Sequence, residues 1–274
     1  MPKSDLKYYL ELIDDDSEEI QNEIFMRLYE YGFELEDDLV DFKVNTDTAK
    51  MRLVLPILEG NRRKWIKENW NSWFNLETAN DKIESALSQI SRFHYGINNK
   101  PGLNNLLDEL AEEFMNRIPY GDELDLSFFL FKEKMISGSK ENYNNPFNSN
   151  PVYAIKEKKG LPITLSLIYI LVGSRLGFDI KACNYPGHFM AKFDFDGELI
   201  IVDCFANGKI MFETDIENLL ADSKIDKVKA VFIDSPPELI IQRILNNLIK
   251  SYSILNNQVN VEFFTDLAKQ IIIV

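Results

Sequence analysis

From Leu6 to about Leu58 the apolar residues recur at helical spacing. In "IQNEIFMRLYEYG", Ile20, Ile24, Leu28 and Tyr31 fall on one stripe, and Gly32 follows as a helix stop. The longer phrase "LIDDDSEEIQNEIFMRLYEYG" reads as one helical hairpin of the HEAT type, without the stacked neighbours a solenoid needs. "GNRRKWIKENWNSWFNLETANDKIESALSQISRFHYG" predicts two more helical stretches, and they carry all three tryptophans, Trp65, Trp70 and Trp73, at a spacing that suits packing. In "GLNNLLDELAEEFMNRI", Leu103, Leu106, Leu107, Leu110 and Phe114 make one face. Glu112 and Glu113 then belong to the solvated side and are not a catalytic carboxylate pair.

The texture changes after "SGSKENYNNPFNSN", a polar, turn-rich lead. "LPITLSLIYILVGSRLG" begins with proline, ends with glycine and is apolar nearly all round, which predicts a buried helix. "FDIKACNY", "HFMAKFDF" and "ELIIVDCF" read as strands, the last two joined by the hairpin signal Asp196-Gly197. "VKAVFID" predicts one more strand, and two helices follow Pro236-Pro237. The pattern is that of an α+β protein in which a buried helix packs on an antiparallel sheet between helical N-terminal and C-terminal flanks. The expected divisions are a helical cap (1–58), a helical subdomain (59–140), the core (141–235) and a C-terminal helical pair (236–274).

Charge narrows the function classes. Lys plus Arg total 30 against 44 for Asp plus Glu, and the net charge of -14 repels phosphate backbones and anionic membranes. Nucleic acid and membrane are therefore not expected partners. No window approaches the roughly 20 apolar residues of a membrane span, and the reading is a cytoplasmic protein. Two cysteines and two histidines, none clustered, predict reduced thiols, no metal site and no cofactor. His94, near a helix end before Gly96, is expected where a cation is favoured.

His188, in "NYPGHFMAKF", opens one predicted strand and Asp203 ends the next, so the hairpin sets them side by side. A helix start, a strand histidine and a neighbouring aspartate form the arrangement of papain-like and transglutaminase-like catalysts. There the helix dipole and imidazole populate a thiolate, and the carboxylate holds the imidazole in its useful tautomer. "GLPITLSLIYILVGSRLG", "YPGHFMAKF" and "VDCFANGKIM" resemble the transglutaminase-like core of the bacterial SirB-one family, described as regulators of sirC expression, with a tetratricopeptide-type C-terminus. "LDELA", "LSFFLF" and "NPFNSN" match in the same order, and the resemblance runs from Leu103 to Tyr252.

That resemblance implies a transglutaminase-like fold with His188 and Asp203 retained. Counting back from Leu176-Gly177 sets Gly160 on the family glycine, Ser166 on the small residue one turn into the helix, and Pro162 on the cysteine, so the attacking thiol is lost. It also gives Asn148 a part in shaping the pocket, and the expected cleft comprises Tyr143, Asn148, Pro162, Gly187 and Phe205. The tetratricopeptide array is cut to about one helical pair, too short for a concave groove.

Substitute nucleophiles have plain structural readings beside them. Cys204 points away from the face that Asp203 uses, Cys183 suits a buried structural thiol, and Thr164 sits where first-turn hydroxyls cap. The His188–Asp203 pair itself also fits a stiffening hydrogen bond without chemistry. Three functions stay open: a non-catalytic protein binding a protein, peptide or small ligand at the residual cleft; an amide-directed hydrolase or acyltransferase using His188, Asp203 and Thr164 or a cysteine; and a helical scaffold with an inert cleft. The oligomeric state is not legible in these features.

Overall fold

A computed structural model describes residues 3–41, 48–185, 187–220 and 231–271. Contacts divide the chain into two units: Met1–Asn71 with Arg92–Lys100, and Ser72–Ser91 with Pro101–Val274. In the first, Ser17 caps α2 (Glu18–Tyr31) and Gly32, at φ +81°, ends it, as the stop signal predicts. Ile24 and Leu28 join Leu6 and Leu10 of α1 (Lys3–Glu11), Leu35 and Leu39 of α3 (Leu35–Asp41) and Val54 of α4 (Thr48–Asn69) in one core. Ile20, expected on the same stripe, is exposed. The expected boundary after Leu58 falls inside α4, a continuous helix of 22 residues. The unit therefore runs to Asn71 and takes in the end of α5 (Ala79–Tyr95).

Buried Arg62 of α4 ties this unit together, pairing with Glu36 and donating from Nη1 to the carbonyls of Phe93 (3.1 Å) and His94 (3.3 Å). The expected preference for a cation at His94 is overturned, because desolvation and the Arg62 charge push its pKa down to about 3.

The second unit is built round α9 (Pro162–Arg175), whose residues from Pro162 to Gly173 are all buried, as an all-round apolar helix requires. It packs against α6 (Leu103–Arg117), α7 (Glu123–Phe128), α8 (Pro151–Glu157) and strands β3 (Lys181–Cys183) and β4 (Met190–Phe195). The Leu103, Leu106, Leu107, Leu110 and Phe114 face of α6 is buried as its spacing predicts. Glu113 pairs with Arg117 at 2.7 Å and with Lys134. A π turn, Phe129–Glu133, continues α7 and buries Phe129, Leu130 and Phe131 in succession. The hydroxyl of Tyr169, the large polar group on α9, donates to Glu123 O at 2.7 Å.

β3, β4, β5 (Glu198–Asp203) and β6 (Lys209–Met211) form an antiparallel sheet in that order. Asp196 and Gly197, at φ +54° and +89°, turn the β4–β5 hairpin. A short parallel pair, β1 (Ser137–Gly138) with β2 (Lys159–Gly160), leads into α9. The fold is thus α+β, a buried helix on an antiparallel sheet with helical flanks. The strand expected over "VKAVFID" is not formed where the chain is described. Residues 228–230 lie outside the described residues, Val231 and Phe232 are helical, and Val231 O accepts from Lys192 Nζ at 2.8 Å. α10 (Glu213–Leu220) follows the sheet, and α11 (Pro237–Ile254) and α12 (Gln258–Lys269) pair with Tyr252 and Phe264 stacked at 5.6 Å. α11 also packs on the turn Pro146–Ser149. Among the described residues no helix is long and apolar enough to cross a membrane.

His94 makes one testable contribution to acid stability. Below pH 6.5 the unfolded chain takes up a proton there that the folded chain refuses until about pH 3. Its share of stability is full above pH 6.5 and is lost as pH falls toward 3. We expect His94→Gln to flatten the fall of urea-unfolding stability across that window, whereas an unchanged slope would assign the loss to other groups.

Candidate functional site

His188 is presented by a turn. Its backbone N–H donates to Tyr185 O at 3.0 Å, and Gly187 adopts φ +83°, a conformation that residues with a Cβ rarely take. Asp203, at the end of β5, accepts from Ala206 N on Oδ1 at 2.9 Å and meets His188 Nε2 on Oδ2 at 2.7 Å. Burial alone would raise the Asp203 pKa, but the hydrogen bond from His188 and those from the Ala206 and Phe205 amides outweigh it and hold the carboxyl below its usual range. With Nε2 turned to a carboxylate, the lone pair falls on Nδ1, which has no partner among the described residues. The side chains are 34% and 15% exposed, so the pair is reachable from solvent.

The start of α9 is assembled on Asn148. Its carbonyl accepts from Leu161 N at 3.0 Å and from the buried Thr164 hydroxyl at 2.9 Å, and its Nδ2 donates to the carbonyls of Asn142 and Tyr143. Thr164 therefore closes the helix start. Pro162 is buried at the first helical position. Ser166, one turn on, shares its face and meets the sulfur of Cys204, the residue after Asp203. That contact brings the first turns of α9 against the end of β5.

Of the expected cleft residues, Phe205 and Tyr143 meet edge to face, with ring centroids 6.1 Å apart. Phe205 also lies on Gly138 of β1, where an added Cβ would sit 2.6 Å from the ring. Beyond it is a depression of about 430 Å³ lined by Ser137 to Asn142, Tyr153, Lys159, Phe205 and Asn207. Asn148 and Pro162 are buried and shape the site from beneath, while Gly187 acts through the His188 turn. Sequence reasoning passed over Arg243 of α11, whose Nη1 donates to Tyr185 O at 3.1 Å and to Asn184 Oδ1. Its sequence context read only as the start of a helical pair.

Residues 102–246 match the family described as the transglutaminase-like superfamily. The chain belongs to that superfamily. It is 27% identical over 200 residues to a UPF0162 protein of Xylella fastidiosa, covering 66% of this chain and 69% of that one. It is 22% identical over 191 residues to the human F-box only protein 21, covering 64% of this chain and 29% of that protein. No solved structure matches.

A transglutaminase-like catalyst needs a thiolate at the helix start beside the imidazole. In this transglutaminase-like core both cysteines are buried and free of disulfides. Burial pushes the Cys183 thiol up to about 11, with Lys192 only partly opposing it. Burial pushes Cys204 higher still, and the adjacent Asp203 carboxylate adds to that rise. Neither is a thiolate at neutral pH. We expect iodoacetamide at pH 7 to label both far more slowly than free cysteine, with equal sluggishness in His188→Ala, as measured by intact mass. Fast, His188-dependent labelling of either would contradict the geometry.

Proposed function

We propose that this chain is a non-catalytic transglutaminase-like protein that binds a protein or peptide partner, or a small amide-bearing ligand, around His188 and Asp203. The role is regulatory, of the kind the SirB-one resemblance implies, and a cytoplasmic setting suits its reduced cysteines and net charge of -14. One observation carries the reading: His188 Nε2 is oriented on Asp203 at 2.7 Å with Nδ1 open, and the position that the family resemblance gives to the attacking thiol is Pro162, the buried first residue of α9. The base has no proton to take from the protein. Its Nδ1 is instead an acceptor for a ligand N–H, and the paired rings of Tyr143 and Phe205, the latter two residues past Asp203, offer the ligand apolar surface. A threonine nucleophile is disfavoured, because the Thr164 hydroxyl already donates to Asn148 O inside the core.

The test restores the missing group. Pro162→Cys should create a thiol that reacts with iodoacetamide about tenfold or more faster than free cysteine at pH 6, and adding His188→Ala should return it to the slow rate. An unreactive thiol in that variant would mean Pro162 does not stand at the nucleophile position. The unmodified protein should leave activated esters and glutaminyl peptides uncleaved above the buffer rate. His188-dependent turnover would sink the non-catalytic reading.

A further inference from the structure

Arg243 is a half-buried guanidinium with no carboxylate partner among the described residues. Arg62, Arg63 and Arg175, also withdrawn from solvent, each hold a glutamate. With 44 acidic residues against 30 basic ones, carboxylates are not scarce in this chain. Burial lowers the Arg243 pKa, and no ionised carboxylate among the described residues offsets it. Holding the Asn184–Tyr185 segment takes Nη1 alone. Nε and Nη2, the fork that receives a carboxylate in two parallel hydrogen bonds, have no protein acceptor among the described residues.

Arg243 and the backbone of His188 share one acceptor. Tyr185 O accepts from Arg243 Nη1 at 3.1 Å and from His188 N at 3.0 Å, so cation and base hang from one carbonyl. The Arg243 guanidinium lies 5.3 Å from the Phe189 ring centroid and within electrostatic reach of the Tyr143 phenol. Tyr143 in turn meets Phe205, two residues past Asp203. Asp203 holds the imidazole, and Tyr185 O ties the His188 backbone to the guanidinium, so the same turn offers one lone-pair acceptor and one two-pronged cationic donor. We propose that Arg243 is a carboxylate-binding subsite of this cleft and that its ligand is a peptide presenting a free carboxylate to the Nε–Nη2 edge and an amide N–H to His188 Nδ1. This rests on the cleft-binding reading above and names its ligand class.

Nuclear magnetic resonance can follow the imidazoles directly, because the chain has only two histidines. The probes are N-acetyl-Gly-Gly, N-acetyl-Glu-amide, N-acetyl-Gly-Gly-amide and inorganic phosphate. At least one carboxylate peptide should shift the His188 resonances saturably, and the uncharged amide and phosphate should bind at least about tenfold more weakly. Whichever carboxylate peptide binds tells a chain terminus from an acidic side chain. Arg243→Lys, which keeps a charge and a donor but loses the fork, should weaken that peptide by about tenfold with the melting temperature unchanged. If the amide binds as tightly as the acid, or the lysine variant binds as well as the parent, the Arg243 subsite is wrong and cleft binding still stands. No shift with any peptide removes both, and phosphate binding as tightly as the carboxylates overturns the peptide class.

Discussion

A helix with no wet face governs this structure. From Pro162 to Gly173 every residue of α9 is buried, so its start must find hydrogen-bond partners inside the protein, while Ser174 at its other end is exposed. At the start, Pro162 brings no N–H, and Asn148 O takes both Leu161 N and the Thr164 hydroxyl. At the end, Phe178 N returns to Gly173 O at 2.9 Å and Gly177 turns the chain at φ +83°. The asparagine-rich lead is thus a fitting for the helix start, and Asn148 is buried because its backbone and amide serve three segments at once.

The same helix sets the chemistry of the neighbouring strand. Cys204 turns its sulfur toward Ser166 on α9, which leaves Asp203 to project the other way, toward the turn that carries His188. Two carboxylate oxygens then have distinct duties: Oδ1 holds the following turn through Ala206 N, and Oδ2 orients the imidazole. A pair exposed to 34% and 15% is screened by water and contributes on the order of 0–1 kcal/mol to stability. Stability alone is therefore a weak account of so well oriented a base.

Much of this was legible in the sequence, and the rest failed for identifiable reasons. The α6 face, the all-round burial of α9 and the His188–Asp203 contact follow from local spacing and one Asp-Gly turn, which depend on near neighbours alone. β6 escaped although Asn207-Gly208 before it, at φ +58° and +70°, is a turn of the same chemistry as Asp196-Gly197. His94 was misread because its helix position favours charge while burial, and then Arg62, 32 residues away, oppose it. Arg243 reaches Tyr185 across 58 residues, a contact that no periodicity encodes.

Pro162 joins these threads. In a wet helix the first N–H groups are satisfied by water, but the start of α9 is buried, so a residue with an N–H there would need one more acceptor. Proline removes that need and presets the helical φ, which favours it at this position on stability alone. A catalytic thiol would ask the opposite: a reactive side chain and free helix-start dipoles where packing prefers neither. Packing alone therefore favours proline at this helix start. The half-exposed imidazole keeps an open Nδ1, and the guanidinium has no carboxylate among the described residues, so the bonds they make leave part of each group unused. Those two groups, rather than the proline, carry the case that the cleft still recognises something.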